Sequence, residues 1–308
     1  MTKFMPKSRF LLTALALLAA GSVALAAAPV TLKLVTWDVA NTVYLKPLIE
    51  AYPAKNPNGT ISLNDIPPNE SPDTLAIMLA GGEDADIISV KDIPGYASMV
   101  NRKQLEPLMS YIKKDKVDLT KYNGVTNEIT VNKELYALPF RSDFWLLYYN
   151  KDLFDKAGVP YPTNDMTWEQ YAEIAKKVSS GFGTDRVYGS HYHTWRSTWQ
   201  LPTVQDGKNT IISTDYKFMK PYYEMILKLQ ADKSVMDFAS LKVGNIHYRG
   251  VWNNNQIAML PMGSWFIATT MAQHKTGEAT MNWGLAKYPH PKGVKAGTEI
   301  NDEVLDQF

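Results

Sequence analysis

The sequence predicts an α/β protein, because short β-branched segments alternate with helical patterns along most of the chain. Residues 30–36 alternate apolar and polar side chains, which is typical of a strand, and residues 85–90 form a second short apolar segment. Between them, residues 45–52 repeat apolar side chains at the spacing of one helix face, and residues 71–79 form a second helical segment. This order of strands and helices indicates a parallel sheet.

The middle of the chain repeats the alternation. Residues 145–149 predict a strand, residues 153–157 a short helix and residues 256–261 another strand. The segment TWEQ at residues 167–170 has the spacing of a capping box, so we expect an amphipathic helix to begin there. Residues 215–231 carry another amphipathic helical pattern.

The first 26 residues have the three parts of a secretory signal. A basic start precedes an apolar core at residues 11–20, which is too short for a membrane-spanning helix, and Ala24-Leu25-Ala26 suits a signal peptidase. The basic residues are Lys3, Lys7 and Arg9. We expect cleavage after Ala26 and a periplasmic or secreted mature chain of residues 27–308. A membrane anchor is the alternative interpretation.

Charge and cysteine content exclude several classes of function. The formal net charge is +1, and removal of the three basic signal residues takes it to about −2. Because the mature chain has no long basic block, we expect no nucleic-acid partner. With no cysteine in the sequence, thiol nucleophiles and cysteine-bound metals are excluded, and an exported chain must rely on its buried core.

Three sequence segments in a fixed order carry a family resemblance. They are AIMLAGGEDADIISV, then YALPFRSDFWLLYYNKDLFDKAGVPYP followed by TWEQYAEIAKKV, and then RGVWNNNQIAMLPMGSWFIATTM. Together they resemble the extracellular solute-binding proteins of ABC importers, in particular the carbohydrate-binding family that includes maltose-binding protein. The resemblance covers roughly residues 30–290.

The resemblance implies a periplasmic-binding-protein type II fold, with two α/β lobes that close on a ligand by a hinge motion. We expect lobe 1 at residues 27–138, with residues 289–308 returning to it, and lobe 2 at residues 139–288. Residues 136–140 would cross between the lobes. Members of this family continue well beyond this chain's length, so we also expect part of the C-terminal fold to be missing.

A carbohydrate site needs flat aromatic side chains that stack on C–H faces, and carboxylates, amides or guanidinium groups that bond to hydroxyls. Aromatic and polar residues stand side by side at several strand ends of this sequence, and the resemblance places a stacking tryptophan at the Gly-x-Trp segment. The predicted ligand-binding residues are Trp37, Asp38, Asn69, Glu70, Asp92, Arg141, Asp143, Trp195, Trp199, Trp252 and Trp265.

Structural roles compete with ligand binding at the charged positions. Asp38 and Asp92 follow strand ends, where a carboxylate also caps a following helix. Arg141 and Asp143 could pair with each other across a turn.

The remaining predicted residues also have alternatives. Asn69 and Glu70 could lie in a solvated loop. We expect one of Trp195 and Trp199 to line the cleft, Trp252 to favour packing over ligand contact, and Trp265 to favour the ligand over the core.

The sequence predicts neither a cofactor nor a metal site. His191 and His193 could face the same side of a strand, but the sequence nearby has no carboxylate cluster or third histidine to complete a metal site.

The leading hypothesis is a monomeric, non-catalytic receptor that binds a mono- or oligosaccharide and delivers it to the membrane permease of an ABC importer. A receptor for a polyamine, a peptide or iron is the first alternative. A secreted glycoside hydrolase is the second, and it would need two carboxylates flanking the scissile bond. Asp38, Asp92 and Asp143 are of the right type, but no motif sets two of them as a catalytic pair.

Overall fold

In the computed structural model, the described residues are 28–40, 42–67 and 71–299. They form two α/β lobes, each built around its own sheet. The strands of lobe 1 are β1 (Val30–Trp37), β2 (Gly59–Ile66) and β3 (Ile87–Ile88). Its helices are α1 (Leu45–Lys55), α2 (Ser71–Ala80), α3 (Ile93–Asn101), α4 (Met109–Lys114) and α5 (Val125–Glu128). The three strands are parallel, in the order β2-β1-β3.

Lobe 2 has a four-stranded sheet and more helices. Its strands are β4 (Trp145–Asn150), β5 (Tyr188–Ser190), β6 (Ile257–Gly263) and β7 (Trp283–Lys287). Its helices are α6 (Lys151–Ala157), α7 (Trp168–Val178), α8 (Arg196–Val204), α9 (Lys220–Ala231), α10 (Phe238–Val243), α11 (Tyr248–Asn253) and α12 (Phe266–Thr276). The strand order is β5-β6-β4-β7, with β4 antiparallel to both neighbours and β5 parallel to β6.

Most predicted elements are present, with three differences. The capping box is confirmed, because Thr167 accepts from the backbone of Gln170 while the Gln170 side chain accepts from the Thr167 amide. The third strand is only two residues long rather than six, and α9 begins at Lys220 after a short 3₁₀ turn. The parallel arrangement holds for lobe 1, whereas lobe 2 is mixed.

The two lobes differ in their cores. In lobe 1, a small cluster of buried side chains comprises Val35, Ile66, Leu75 and Met78. In lobe 2, every residue of β6 is buried, and clusters of aromatic and aliphatic side chains cover both faces of the sheet. Burial of apolar area is the main stabilising term in folding. The larger buried clusters of lobe 2 therefore contribute more stabilisation than the small cluster of lobe 1.

The connection between the lobes is extended and leads directly into β4. Its end is tied to lobe 2 where the Ser264 amide donates to the Phe144 carbonyl at 2.7 Å. No helix within the described ranges is long and apolar enough to cross a membrane. The predicted signal at residues 1–26 lies outside those ranges.

Candidate functional site

Lobe 1 contributes residues from the carboxyl ends of β1 and β3. Trp37 is the last residue of β1, and Lys91 lies three residues beyond β3 on the neighbouring strand. The Lys91 ammonium is 5.9 Å from the centroid of the Trp37 ring, within cation–π range. Parallel strands present their carboxyl ends at one edge, which is where open α/β sheets bind ligands.

Asp38 reaches across to lobe 2. Its backbone is left-handed (φ 56°), and its carbonyl accepts from the Thr42 amide and hydroxyl. Oδ2 accepts from Nη2 of Arg249 at 2.7 Å, and both side chains are about one-fifth exposed. Helix α1 begins seven residues later with Tyr44 at its N-cap, so Asp38 does not cap it.

Arg141 and Asp143 pair with each other, as the structural alternative proposed. Arg141 Nε lies 3.4 Å from Asp143 Oδ2, and the Arg141 guanidinium is also 5.8 Å from the Trp37 ring centroid. Ser264 donates to Asp143 Oδ1 at 2.6 Å and accepts from the Phe144 amide. The pair is therefore held between the connecting segment and the end of β6, next to Trp37.

Lobe 2 faces these groups with an aromatic wall formed by Trp195, Trp265 and Tyr248. The Trp195 ring centroid is 5.9 Å from that of Trp265 and 5.6 Å from that of Tyr248. Trp265 Nε1 donates to the Tyr248 hydroxyl at 3.4 Å. The Lys91 ammonium of lobe 1 is 5.9 Å from the Trp195 centroid, so both lobes meet at this wall.

The position of the Trp265 ring explains why the Gly-x-Trp segment has a glycine at position 263. The Trp265 ring folds back over Gly263, and a Cβ there would lie 1.8 Å from ring atom Cζ3. Any larger residue would displace the indole from the wall.

Three histidines lie behind the wall. His193 contacts Trp195 at 4.4 Å between ring centroids, and His191 and His247 flank it at 5.7 and 5.4 Å. Burial lowers the pKa of His191 from 6.5 to about 3, and with the nearby Arg249 it lowers the pKa of His247 to about 4. Burial also holds the pKa of His193 well below its usual range. The cluster is therefore neutral at pH 7.

Two predicted residues have structural roles in the fold. The structure corrects the predicted ligand contact of Trp252. Its side chain is fully buried against Tyr148 and Phe266, and its Nε1 donates to Thr270. Asp92 is the N-cap of α3, where its carboxylate accepts from the Gly95 amide.

Trp199 and Trp195, four residues apart, face different surroundings. Trp199 packs on Tyr192, Tyr223 and Phe238 of lobe 2 and donates to the His193 carbonyl, whereas Trp195 meets lobe 1. Asn69 and Glu70 lie outside the described residues, so their predicted role stays a prediction.

Several residues of this cleft are not among the predicted ligand-binding residues. They are Lys91, Tyr248, Arg249 and Ser264. Ser264 and Arg249 lie within or beside the quoted Gly-x-Trp segment, so attention to polar residues around that motif could have found them. Lys91 and Tyr248 have no distinguishing sequence signal.

Within residues 28–40, 42–67 and 71–299, no group of three histidine or acidic residues is arranged to hold a metal ion. The three carboxylates that were predicted to bind the ligand have protein partners: Arg249 for Asp38, the α3 amide for Asp92, and Arg141 with Ser264 for Asp143.

Two α/β lobes, joined by an extended segment and contributing indoles and charged groups to one cleft, define a two-lobed solute-binding protein. The chain belongs to the bacterial extracellular solute-binding protein family, whose model matches residues 37–302.

Solved structures of this class resemble the chain closely. A sugar transporter from Rhizobium etli, in an open conformation, is 49% identical with a TM-score of 0.68, over 89% of this chain and 70% of that one. An ABC substrate-binding protein from Listeria monocytogenes, in complex with cycloalternan, has a TM-score of 0.73 at 22% identity, over 85% of this chain and 67% of that one. The second likeness concerns the fold alone.

Curated relatives are longer than the matched region. An sn-glycerol-3-phosphate-binding periplasmic protein from Agrobacterium fabrum is 26% identical over 171 residues, 52% of this chain and 37% of that protein. A putative binding protein from Brucella abortus is 24% identical over 277 residues, 85% of this chain and 64% of that protein. The matches thus span between about one-third and two-thirds of these relatives.

Proposed function

We propose that the protein is a non-catalytic extracytoplasmic receptor that binds a mono- or oligosaccharide between its lobes and delivers it to an ABC importer. The observation that carries this proposal is the convergence of Trp37, Trp195 and Trp265 with charged side chains from both lobes. A saccharide needs both: indoles stack on its apolar faces, while carboxylates and guanidinium groups bond to its hydroxyls.

The ligand-binding residues in this proposal are those that the fold brings to the cleft. Trp37 and Asp38 act from lobe 1, Trp195 and Trp265 from lobe 2, and Arg141 with Asp143 from the connection. A lobe boundary at residues 138/139 fits this division, because the chain leaves lobe 1 before this segment and enters β4 after it.

Closure of the two lobes would enclose the ligand and create a surface for the permease subunits that spans both lobes. The family supports a location outside the cytoplasm, and we propose a periplasmic or secreted monomer. The sugar transporter from Rhizobium etli supports the sugar class at 49% identity.

A second candidate ligand is an acidic or phosphorylated solute. Lys91, Arg141 and Arg249 all lie around Trp37 and Asp38, and guanidinium groups bind phosphate well. One of the curated relatives binds sn-glycerol-3-phosphate by its name. This compound therefore belongs in the ligand panel.

Tryptophan fluorescence titration with mono- and oligosaccharides and sn-glycerol-3-phosphate tests the proposal. We expect a saturable emission change with a saccharide, abolished by Trp195→Ala. Trp199→Ala is the matched control, because this ring packs within lobe 2, and it should leave the affinity unchanged. Saturation with sn-glycerol-3-phosphate alone would favour the second candidate. If none of the compounds gives a saturable emission change, both candidate ligand classes are contradicted.

Incubation with the bound oligosaccharide separates a receptor from a hydrolase. We expect chromatography to recover the oligosaccharide at its original length. Shorter products that disappear in Asp38→Asn or Asp143→Asn would overturn the non-catalytic proposal.

A further inference from the structure

Lobe 1 has a partly open cavity of about 150 Å³ between α2 and α3. One side of α2 lines it with Leu75 and Leu79, and one side of α3 lines it with Ser98 and Met99. Among the described residues, Lys91 is the one residue of the cleft that also lines this cavity. The cavity is therefore a separate feature from the aromatic wall.

The lining of the cavity is largely apolar. Leu75 belongs to the buried cluster of lobe 1, and Leu79 and Met99 pack against that cluster while remaining partly exposed. An apolar group between the two helices would remove these side chains from water, which is favourable in proportion to the area buried. A cavity of about 150 Å³ with aliphatic walls accommodates a benzene-sized ligand. Size and lining thus favour a compact apolar group.

Arg102 places a positive charge at one end of this cavity. It is the C-cap of α3, and across residues 28–40, 42–67 and 71–299 its guanidinium has no ion-pair or hydrogen-bond partner. The Asp92 carboxylate lies at the other end of α3, where it accepts from the Gly95 amide at 2.5 Å. A rise of 1.5 Å per residue separates Asp92 from Arg102 by about 15 Å, so salt screens the repulsion that Asp92 exerts on an anion near Arg102.

We propose that this cavity is a second binding site, for a compact monocarboxylate whose apolar body packs between α2 and α3 and whose carboxylate bonds to Arg102. A guanidinium matches the two oxygens of a carboxylate, and the charge strengthens both hydrogen bonds. Gln104 also lines the cavity, and its side-chain amide can donate a further hydrogen bond. The inference goes beyond the proposed function and does not depend on it, because no saccharide is needed at this site.

The methyl group of Met99 is a reporter within the cavity. Labelling of the methionine methyl groups with ¹³C, and assignment of the Met99 resonance with Met99→Leu, allow a titration with benzoate to be followed by NMR. We expect a saturable shift of the Met99 resonance at pH 7.5. Met259 is fully buried in β6 of lobe 2 and is the internal control, whose resonance should not move.

Benzyl alcohol tests the role of the charge, because it has the same ring without the carboxylate. We expect benzoate to bind about fivefold more tightly than benzyl alcohol, since the guanidinium is exposed and solvent weakens its ion pair. Arg102→Gln should weaken benzoate binding about fivefold and leave benzyl alcohol binding unchanged, which also shows that the variant is folded. Lys113→Gln removes another exposed positive charge of lobe 1, away from the cavity, and is the control without effect.

The cleft also contains aromatic rings and cations, so Trp195→Ala is needed to exclude binding there. We expect the benzoate titration of Met99 to be unchanged in Trp195→Ala, and a loss of the shift would place benzoate in the cleft and overturn the proposal. Absence of a saturable Met99 shift with benzoate would overturn it too. Equal affinities for benzoate and benzyl alcohol, or an unchanged benzoate affinity in Arg102→Gln, would overturn the assignment of a carboxylate ligand.

Discussion

Lobe 1 and lobe 2 use the same alternation of strands and helices, yet their interiors differ greatly. Helix α1 is described over its full length and contains no buried residue, and Leu48 within it is 62% exposed. A cavity of about 150 Å³ lies beside α2 and α3, lined in part by Leu75, Leu79 and Met99. In lobe 2, by contrast, Trp145, Trp252 and Phe266 are fully buried.

This difference in core packing means that the two lobes support their sides of the cleft differently. Lobe 2 holds the aromatic wall on a densely packed sheet, which fixes ring positions. Lobe 1 presents Trp37, Asp38 and Lys91 from strand ends above a much smaller core. We therefore expect the lobe 1 side of the site to be the less stable one, and the following changes test that expectation.

The largest effect should come from emptying each core. Trp252→Ala is expected to lower the free energy of unfolding by about 3–5 kcal/mol, and Leu75→Ala by about 2–3 kcal/mol, because the loosely packed lobe 1 can relax. Urea denaturation followed by tryptophan emission reports lobe 2, since Trp37 is the only tryptophan before residue 145. Hydrogen exchange of β1 amides reports lobe 1.

If, for each variant, tryptophan emission and β1 exchange report the same decrease in the free energy of unfolding, the lobes unfold as one unit. Separate transitions, with Leu75→Ala affecting β1 exchange alone, would establish the two as independent.

Acid should destabilise lobe 2 selectively, because the three histidines whose pKa is lowered by burial, His191, His193 and His247, all lie in that lobe. Burial lowers the pKa of His191 from 6.5 to about 3 and of His247 to about 4. Between pH 6.5 and 5 the unfolded chain therefore binds more protons than the folded one, and the free energy of unfolding decreases as the pH is lowered. For His191 alone the slope approaches about 1.4 kcal/mol per pH unit near pH 5, and the full stability returns well above pH 6.5.

Urea midpoints at pH 7.5 and pH 5 measure this slope, and His191→Asn should make it shallower. Exchange of β1 amides in lobe 1 should change little over the same interval. A pH-independent midpoint would show that the buried histidines do not control lobe 2 stability.

Substitution of Gly263 should damage the lobe 2 wall with little effect on its core. The methyl group of Gly263→Ala would lie 1.8 Å from the Trp265 ring, so the indole must move, and we expect about tenfold weaker saccharide binding, or about 1.4 kcal/mol. Gly250→Ala, whose added methyl meets nothing within 4 Å, is the control. Unchanged affinity in Gly263→Ala would remove Trp265 from the binding site.

The smallest effect should come from the helix caps. Asp92→Ala in lobe 1 and Thr167→Ala in lobe 2 each lose an N-cap and should cost about 1 kcal/mol. Hydrogen exchange should place the first loss in α3 and the second in α7. Saccharide affinity should be unchanged in Asp92→Ala, because its carboxylate serves the helix; a loss of affinity that Asp92→Asn does not restore would return Asp92 to the ligand site.

Local sequence signals determined most of the elements and part of the site. The capping box at Thr167 and the apolar patterns of β4 and β6 depend on residues within a few positions, so a single sequence contains the whole signal. The position of Trp37 and Asp38 at a strand end followed from the same local reasoning.

The tertiary structure decided which side chains meet. Arg249 is 211 positions from Asp38, and no local pattern predicts their contact. Trp252 and Trp265 both stand near polar residues in sequence, but one faces the core between Tyr148 and Phe266 while the other folds over Gly263 toward the cleft. The direction of each ring depends on which distant elements pack against it. Only the assembled lobes therefore distinguish a tryptophan in the core from one that faces the cleft.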